Sequence, residues 1–344
     1  MGELRRRPTS VDVARLAGVA QSTVSYVINN RTDGNVRVSE ETRQRVMKAV
    51  AELGYFPSAA GRNLRAQRTL RGAVDLAARY PDRAGALGVT AAEVDRWRAA
   101  ADGMVLPYDP RLGVHPQAEG FTRHASWDFP NTPPEGYPLL LHYPYFQLYR
   151  RQVVKQADLV LALHLRGDAF TPEQKRRDFD YYEGLTVRDS SLSACTQAVV
   201  AAEVGHLDLA YDYLGEAALM DLGDLEHNTR DGVHIASLAG AWIAVVAGLG
   251  GMRDHGDLLR FAPHLAGPLR RLRFALTWRG RRLRVEVTAT SATYELVDGE
   301  PMELLHEGER LTVKVGGPVT VPVREVAELP PPRQPPGREP RRRH

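Results

Sequence analysis

The sequence has little cysteine and no long uninterrupted apolar segment. Its single cysteine, Cys195, excludes an internal disulfide framework and a cysteine-rich zinc site, and no metal site is predicted elsewhere. No apolar run is long enough to cross a bilayer. The basic N-terminus, Met1–Arg7, is not followed by an apolar core, which argues against a secretory signal peptide. These absences predict a cytoplasmic protein that crosses no membrane.

Charge is unevenly distributed along the 344 residues, although the net charge is only +3. With histidine taken as neutral, residues 1–69 carry +6, residues 70–323 carry −6 and residues 324–344 carry +3. A basic N-terminal region on an acidic body predicts that only this region meets a polyanion. The length leaves room for about two or three domains.

Three short helices are predicted in the N-terminal region. Thr9 can cap the first, because its hydroxyl can accept a hydrogen bond from the backbone N–H of Asp12. Gly18 supplies a tight turn, since glycine tolerates the left-handed conformation. A second helix over about 21–28 and a third over about 40–53, with Ser39 as its cap, complete a helix-turn-helix.

The segment SVDVARLAGVAQSTVSYVINN, followed by VSEETRQRVMKAVAELGYFPSAAGRNL, resembles the DNA-binding head of the LacI family of repressors. The resemblance implies that the second helix enters the major groove of double-stranded operator DNA. It also implies base-reading by Gln21, Ser22 and Tyr26, backbone contacts by Thr23, Ser25 and Asn29, and a hinge helix whose Leu64 wedges into the minor groove.

Two positions depart from the family pattern. Ala20 stands where the family usually has a capping Ser or Thr, which weakens the start of the second helix by roughly 1 kcal/mol. Tyr26 stands where many members have Arg, so the preferred base should differ. The alternative interpretation of this region is a small helical bundle without affinity for DNA.

From about Val74 the pattern changes to long helices followed by short strands. Helices are predicted over 91–101, 149–165, 172–182, 192–204, 207–220 and 235–248, and strands over 273–278, 283–288, 311–315 and 319–323. RGRR at 279–282 predicts a hairpin turn, and the Pro- and Arg-rich tail after Val323 is predicted to be disordered. The predicted fold class is mainly α with a small β-domain.

This body resembles the C-terminal half of glycoside hydrolase family 65, whose members are mostly inverting disaccharide phosphorylases. The resemblance rests on LGVHPQAEGF, RQVVKQADLVLAL, KRRDFDYYEGLTVRDSSLSACTQAVVAAEVGHLDLAYDYL and NTRDGVHIASLAGAWIAVVAGLGGMR, which occur in family order. It implies part of a double α-helical (α/α) barrel followed by a β-sandwich-like domain. The chain then divides into a helix-turn-helix domain (1–57), a hinge helix and linker (58–73), a partial barrel (74–262), a β-domain (263–323) and the tail (324–344).

The same resemblance implies ligand roles, with inorganic phosphate as a co-substrate and no cofactor. Lys155 and Gln156 match residues that hold the non-reducing glucose of an α-glucoside, and Ser190, Ser191 and His234 match the phosphate site. Both serines precede a predicted helix and His234 opens the next, so two helix N-termini can direct N–H groups at one anion. Taken singly, Ser190 is better explained as a helix cap, His234 as a core histidine and Lys155 as an exposed lysine; the order of the motifs favours the ligand site.

An inverting phosphorylase needs one carboxylic acid to protonate the leaving sugar oxygen. In family 65 this glutamate lies in a DEYH-like segment upstream of the point where the resemblance begins, and this sequence shows no such segment. Glu119 lies in a family motif but does not match the family's acid. Because loss of a general acid costs about 100- to 10,000-fold in rate, no catalysis is expected from this chain alone.

Three hypotheses stay open at this point. In the first, the chain is a homodimer that binds operator DNA, and its body is a truncated, inactive enzyme module. In the second, it acts on an α-linked glucose disaccharide once a separate polypeptide supplies the missing half with the acid. In the third, the fusion is an accident that joined a regulator gene and an enzyme gene of one sugar locus.

Overall fold

The computed structural model describes residues 10–20, 23–24, 27, 39–53, 60–227 and 229–340. They fall into two compact units, a head that ends at Ala59 and a body that starts at Ala60. The predicted hinge segment 58–73 spans this boundary. From Ala60 onward it is part of a longer helix of the body, so its role as a DNA-wedging hinge stays a prediction.

The head contains helix α1 (Ser10–Ala17) and helix α2 (Glu40–Leu53). As predicted, Gly18 takes a left-handed φ of 65° after α1, and the Ser39 hydroxyl accepts from the backbone N–H of Thr42 at 3.2 Å. Of the predicted second helix only Thr23, Val24 and Val27 are described, and all three are helical. The apolar core of the head consists of Val13, Ala14, Ala17, Val24, Val27, Val46 and Ala49.

The body begins with helical segments. They are α3 (Ala60–Arg79), α4 (Pro81–Ala86), α5 (Ala91–Gly103), α6 (Leu139–His142), α7 (Tyr145–Leu148), α8 (Asp158–Leu165), α9 (Pro172–Glu183), α10 (Ser193–Val204), α11 (Leu207–Leu219) and α12 (Ile235–Ile243). A π-helical turn, Ala244–Leu249, continues α12. Among the described residues, no helix combines the length and the apolarity that a membrane crossing requires.

Local sequence explains where several of these helices begin and end. Thr90 caps α5, since its hydroxyl accepts from Glu93 N–H at 3.2 Å. Thr171 and Gln174 form a capping box at the start of α9, where Pro172 occupies a first-turn position that needs no N–H. Gly205 ends α10 with a left-handed φ of 98°. The fully buried Phe179, Tyr182 and Tyr213 then pack in the helical core.

The prediction of one helix over 149–165 was wrong in its first half. The two-residue strand β2 (Arg151–Gln152) pairs in parallel with β1 (Ala125–Ser126), and α8 begins only at Asp158. Between them, Val154 forms a parallel bridge with Thr186, with backbone hydrogen bonds of 3.0 Å to Leu185 and Val187. These long-range pairings use the backbone groups that a helix would have needed.

Two sheets follow the helices. A four-stranded antiparallel sheet has the order β4 (Arg271–Trp278), β5 (Arg281–Thr288), β6 (Ser291–Asp298) and β9 (Val319–Pro322). In a three-stranded sheet, β7 (Met302–His306) pairs in parallel with β3 (Leu259–Phe261) and antiparallel with β8 (Glu309–Val313). The predicted hairpin at Arg279–Gly280 is confirmed, with φ of 49° and 79°. Side chains of both sheets share one apolar cluster, which includes Phe261, Val285 and Tyr294.

Residues 324–340, here called the C-terminal arm, are ordered in the structure, whereas the sequence predicted disorder. The Leu329 N–H donates to the Gly205 carbonyl at 2.9 Å, and the Glu328 carboxylate accepts from Asp208 N–H at 2.9 Å. Further along the arm, Gln334 and Arg338 bind polar groups of the helical region. Proline-rich sequence forms neither helix nor sheet alone, but its extended backbone can lie along a surface that supplies hydrogen-bond partners.

Candidate functional site

The loop between α9 and α10 brings two of the predicted site residues into contact. The bridge between Val154 and Thr186 aligns the segment before α8 with this loop. As a result the Ser190 hydroxyl donates to the side-chain oxygen Oε1 of Gln156 at 2.8 Å. A residue predicted for the glucose and a residue predicted for the phosphate are therefore direct neighbours, although they are 34 positions apart in the chain.

The first turn of α10 follows the two serines, as the sequence predicted. The Ser190 carbonyl accepts from Ser193 N–H at 3.1 Å, and Ser191 is half-buried just before the helix. Within the first turn, the Ser193 hydroxyl is buried and has no hydrogen-bond partner among the described residues. A buried hydroxyl without a partner is costly unless a group from outside the chain completes it.

Lys155 is exposed beside this loop, and its positive charge acts on Asp189. Burial raises the pKa of Asp189, while a backbone hydrogen bond from Leu139 and the charges of Arg338, Lys155 and Arg188 act in the opposite direction. Both carboxylate oxygens are engaged, one by Leu139 N–H at 2.7 Å and the other by the Arg338 guanidinium at 2.5 Å. The structure thus gathers positive charge around the residue that precedes Ser190.

His234 lies at the N-terminal end of α12, where the prediction placed it. Its ring Nδ1 lies 2.6 Å from one oxygen of Asp221, and its backbone N–H donates to the other at 2.9 Å. The hydrogen bond from the His234 ring, with a smaller contribution from its backbone N–H, lowers the pKa of Asp221. With Nδ1 used in this way, Nε2 is the ring nitrogen left for a ligand.

Close packing brings the starts of α10 and α12 to the same end of the helix pair. A side chain at Gly240 of α12 would collide with Cys195 of α10, because a Cβ there would lie 2.5 Å from the Cys195 Cβ. Farther along, a Cβ at Gly248 would lie 3.3 Å from the Cα of Val199, so the two helices run in the same direction. Ser237 Oγ also donates to the Ala217 carbonyl of α11 at 3.2 Å. No described hydrogen bond joins His234 to the two serines.

Arg188, two residues before Ser190, forms its contacts within the protein. It has a left-handed φ of 55°, and its guanidinium contacts both carboxylate oxygens of Glu216 at 2.6 Å. Its Nε also donates to the Arg338 carbonyl at 2.7 Å, and its side chain is only 7% exposed. Arg188 therefore braces the loop by contacts with Glu216 and Arg338.

Sequence reasoning missed a buried polar network behind the loop. Tyr213 donates to Glu183, Gln197 donates to the same carboxylate at 2.7 Å, and Gln334 of the arm donates to it at 2.6 Å. Burial raises the pKa of Glu183, and these three donors oppose that effect. No local pattern marks Gln334 or Arg338, because their partners lie about 150 positions earlier in the chain.

One cavity of the body lies away from these residues. It has a volume of about 610 Å³ and is lined by residues that include Trp127, Tyr143, Phe146 and Arg150. None of the predicted sugar or phosphate residues lines it. The candidate site is defined here by its hydrogen bonds and charges. Within the described ranges, no cluster of His, Cys, Asp or Glu is suited to a metal ion.

The predicted DNA-contacting residues lie mostly outside the described ranges. This applies to Gln21, Ser22, Ser25, Tyr26 and Asn29. Thr23 is described, and its backbone N–H donates to the Ala20 carbonyl at 2.9 Å. For Leu64 the structure describes the backbone, in α3, but not the side chain. The DNA-contact roles thus rest on the sequence.

Comparison with known families identifies both parts of the chain. The profile of the glycosyl hydrolase family 65 central catalytic domain matches residues 60–243, more than half of the chain. The chain belongs to glycosyl hydrolase family 65. The C-terminal domain of that family matches residues 252–313. The profile of bacterial regulatory proteins of the lacI family matches residues 10–58, which confirms the predicted fusion of a LacI-type head to a family 65 body.

Individual relatives agree with the family 65 assignment. An uncharacterized glycosyl hydrolase of Mycobacterium leprae is 57% identical over 287 residues, which are 82% of this chain and 36% of that protein. An alpha,alpha-trehalose phosphorylase of Geobacillus stearothermophilus is 42% identical over 224 residues, 65% of this chain and 29% of that protein. The chain therefore spans about a third of the length of the curated relatives it matches.

A solved structure shares the fold of the body. It comes from the human microbiome and is provisionally named kojibiose phosphorylase. The match has a TM-score of 0.69 at 24% sequence identity, and it covers 77% of this chain and 37% of that one. At this identity the likeness concerns the fold alone, and it supports the mainly α body with a β C-terminal domain.

Proposed function

We propose that the chain binds double-stranded operator DNA through its head and that its body keeps an α-glucoside and phosphate site without catalysing turnover alone. The observation that carries this proposal is the lacI-family match over residues 10–58. The described residues of the head support it, because Val13, Val24 and Val46 close one apolar core around the Gly18 turn. Both roles are compatible with a cytoplasmic protein.

Operator binding requires two heads close together, since heads of this kind read paired half-sites. The body is the natural place for self-association. Helix α12 carries Ile235, Leu238 and Trp242 on one face, and these side chains are 66%, 47% and 52% exposed. A stripe of this kind favours contact with another apolar surface. We propose a homodimer formed through the body.

The body is also the basis of a second candidate function. The Ser190 hydroxyl donates to Gln156, Lys155 and Ser191 are their neighbours in the sequence, and His234 stands at the start of α12, which packs on α10. This arrangement suits binding of an α-linked glucose unit and inorganic phosphate. The names of the relatives, trehalose, maltose and kojibiose phosphorylase, suggest a disaccharide of α-linked glucose as substrate. In this alternative the chain works with a further polypeptide that supplies the proton donor.

The described carboxylates next to the site do not suit the role of that donor. Asp221 has a lowered pKa and is therefore deprotonated at neutral pH. Asp189 uses both oxygens to accept hydrogen bonds from Arg338 and Leu139, so it has no proton directed at a ligand. Glu119 is exposed on the surface. We therefore expect no release of glucose 1-phosphate from maltose, trehalose or kojibiose with phosphate when the chain acts alone.

A footprint of the full chain on the DNA that flanks its own gene, at physiological salt, tests the main proposal. We expect a palindromic footprint with half-sites about one helical turn apart. Gln21→Ala should lower affinity about 5- to 150-fold, the loss of one base-reading contact of about 1–3 kcal/mol. Gln44→Ala, an exposed change on α2 away from the base-reading positions, should leave affinity unchanged.

Only salt-sensitive, unlocalised binding would contradict the DNA-binding proposal, since that is the behaviour of a basic protein without sequence readout. In that case turnover in the presence of a polypeptide carrying the front half of a family 65 enzyme would favour the second candidate. Turnover by the chain alone would contradict the inactivity that we propose.

A further inference from the structure

The C-terminal arm runs along the α10–α11 hairpin and ends at the loop between α9 and α10, which carries Ser190 and Ser191. It contacts the turn between these helices through Glu328 and Leu329. It then meets the buried network at Gln334, which donates to Glu183 at 2.6 Å and to the Tyr213 hydroxyl at 2.9 Å. Arg338 lies at the opposite end of the hairpin, beside Asp189.

Arg338 holds the backbone immediately before Ser190 through three consecutive residues. Its Nε donates to the Val187 carbonyl at 2.6 Å, and its Nη2 contacts Asp189 at 2.5 Å. Its own carbonyl accepts from the Arg188 guanidinium. The guanidinium group is planar and donates from two nitrogen atoms in a fixed geometry. Binding at two points therefore fixes the orientation of the backbone at 187–189 as well as its distance from Arg338.

This bracing acts on a strained part of the chain. A left-handed φ of 55° at Arg188 is unfavourable for a residue with a side chain, so surrounding contacts must maintain it. Leu139 N–H holds Asp189 from the other side at 2.7 Å. The residues that follow are Ser190, with its hydroxyl on Gln156, and Ser191.

We propose that Arg338 is a positioning residue for the anion site. The arm keeps the backbone of 187–189 in the conformation that directs the hydroxyls of Ser190 and Ser191 and the first turn of α10 at inorganic phosphate. This inference rests on the phosphate site of the proposed function. Phosphate affinity then depends on the Arg338 side chain, which contacts the residues before the serines. Arg338 lies outside the matched family domains, which end at residue 313.

The test compares full-length variants by calorimetric titration with inorganic phosphate, together with hydrogen exchange of the 187–192 amides without phosphate. Arg338→Ala should weaken phosphate binding at least about tenfold and speed exchange of the loop. Arg338→Lys should recover part of both, because an ammonium can replace only one of the two directed contacts. Gln334→Ala is the matched control, since it removes an arm contact to Glu183 and Tyr213 but none to the loop.

The outcomes separate the positioning role from the site itself. Equal loss of phosphate affinity in Arg338→Ala and Gln334→Ala, in step with their melting temperatures, would reduce Arg338 to a general stabilising role and overturn the proposal. Unchanged affinity and unchanged loop exchange in Arg338→Ala would also overturn it. If the wild type and Ser190→Ala both fail to bind phosphate, the proposed phosphate site is wrong; faster loop exchange confined to Arg338→Ala would still support positioning of the loop.

Discussion

The two edges of the candidate site are held in different ways. The loop from Arg188 to Ser191 is fixed by contacts from distant parts of the chain, which include Gln156 and Arg338. His234 is held by Asp221, only 13 residues earlier, through two hydrogen bonds within the segment that connects α11 to α12. One edge is therefore assembled by the whole body, whereas the other is assembled locally.

This difference shows which part of the site depends on the integrity of the fold. Long-range contacts form only when the body is folded, so the loop should be rigid in the folded protein and lost with it. A pair within one connecting segment depends on fewer distant contacts, so the His234 edge should tolerate more change. Removing one partner of a buried contact also lowers the free energy of unfolding more than removing one partner of an exposed contact does.

The largest effect is expected at the long-range edge. Arg188→Ala removes two charge-assisted hydrogen bonds from Glu216, in a pair whose side chains are 7% and 12% exposed, and should cost about 3–5 kcal/mol in the free energy of unfolding. The exposed control Arg230→Ala, from the turn before His234, should cost less than about 1 kcal/mol.

Urea unfolding followed by tryptophan fluorescence measures this difference in the body alone. All four tryptophans, at positions 97, 127, 242 and 278, lie after the boundary at Ala59. Equal midpoints for the two variants would contradict the contrast between the edges. Such a result would mean that the buried contacts of the loop stabilise the protein no more than the contacts of an exposed turn do.

The same contrast explains what the sequence predicted and what it missed. Local signals located features correctly where the determining residues are neighbours, as with Ser39 at the start of α2 and Arg279–Gly280 in the hairpin. The prediction of a helix over 149–165 failed because Val154 pairs with Thr186, 32 positions away. Apolar spacing cannot reveal such pairing.

The same distinction between local and long-range contacts applies to the residues of the candidate site. The family motifs named Gln156, Ser190 and His234, and the structure confirmed the order of loop and helix around them. The bracing role of Arg338 was not predictable, because a proline- and arginine-rich segment has the composition of a disordered tail. Its order comes from acceptors, such as Asp189 and the Val187 carbonyl, that only the folded body presents.

A second prediction extends the comparison to acid stability. His164 is largely buried, and its Nδ1 has no hydrogen-bond partner among the described residues. Burial, with the positive charge of Arg253, lowers its pKa from 6.5 to about 4. As the pH falls from 6.5 to about 4, the unfolded chain binds a proton that the folded chain does not. Stability should therefore fall by about 3 kcal/mol across this window and become independent of this group below it.

Replacing the group tests this assignment. His164→Gln should flatten the loss of stability between pH 6.5 and 4 in urea unfolding followed by tryptophan fluorescence, whatever it does to stability at pH 7. The exposed His142→Gln is the control and should keep the wild-type slope. A wild-type slope in His164→Gln would show that another buried group causes the acid sensitivity.

The smallest expected effect is in the head, where the contacts are local. Ala20 begins the second predicted helix, since its carbonyl accepts from the N–H groups of Thr23 and Val24, but it offers no side-chain oxygen to cap it. Ala20→Thr supplies a hydroxyl and should stabilise this helix by about 1 kcal/mol. Hydrogen exchange of the Thr23 and Val24 amides should slow about fivefold.

Ala20→Val is the matched control, because valine has nearly the shape of threonine without the hydroxyl. If valine slows exchange as much as threonine does, the gain comes from packing and not from a cap. If threonine slows exchange and the variant also protects DNA at a lower protein concentration, DNA binding includes a free-energy cost for ordering a weakly capped helix. Higher DNA affinity in both variants would instead indicate that the shape of the turn that Gly18 begins, and not the cap, limits the affinity.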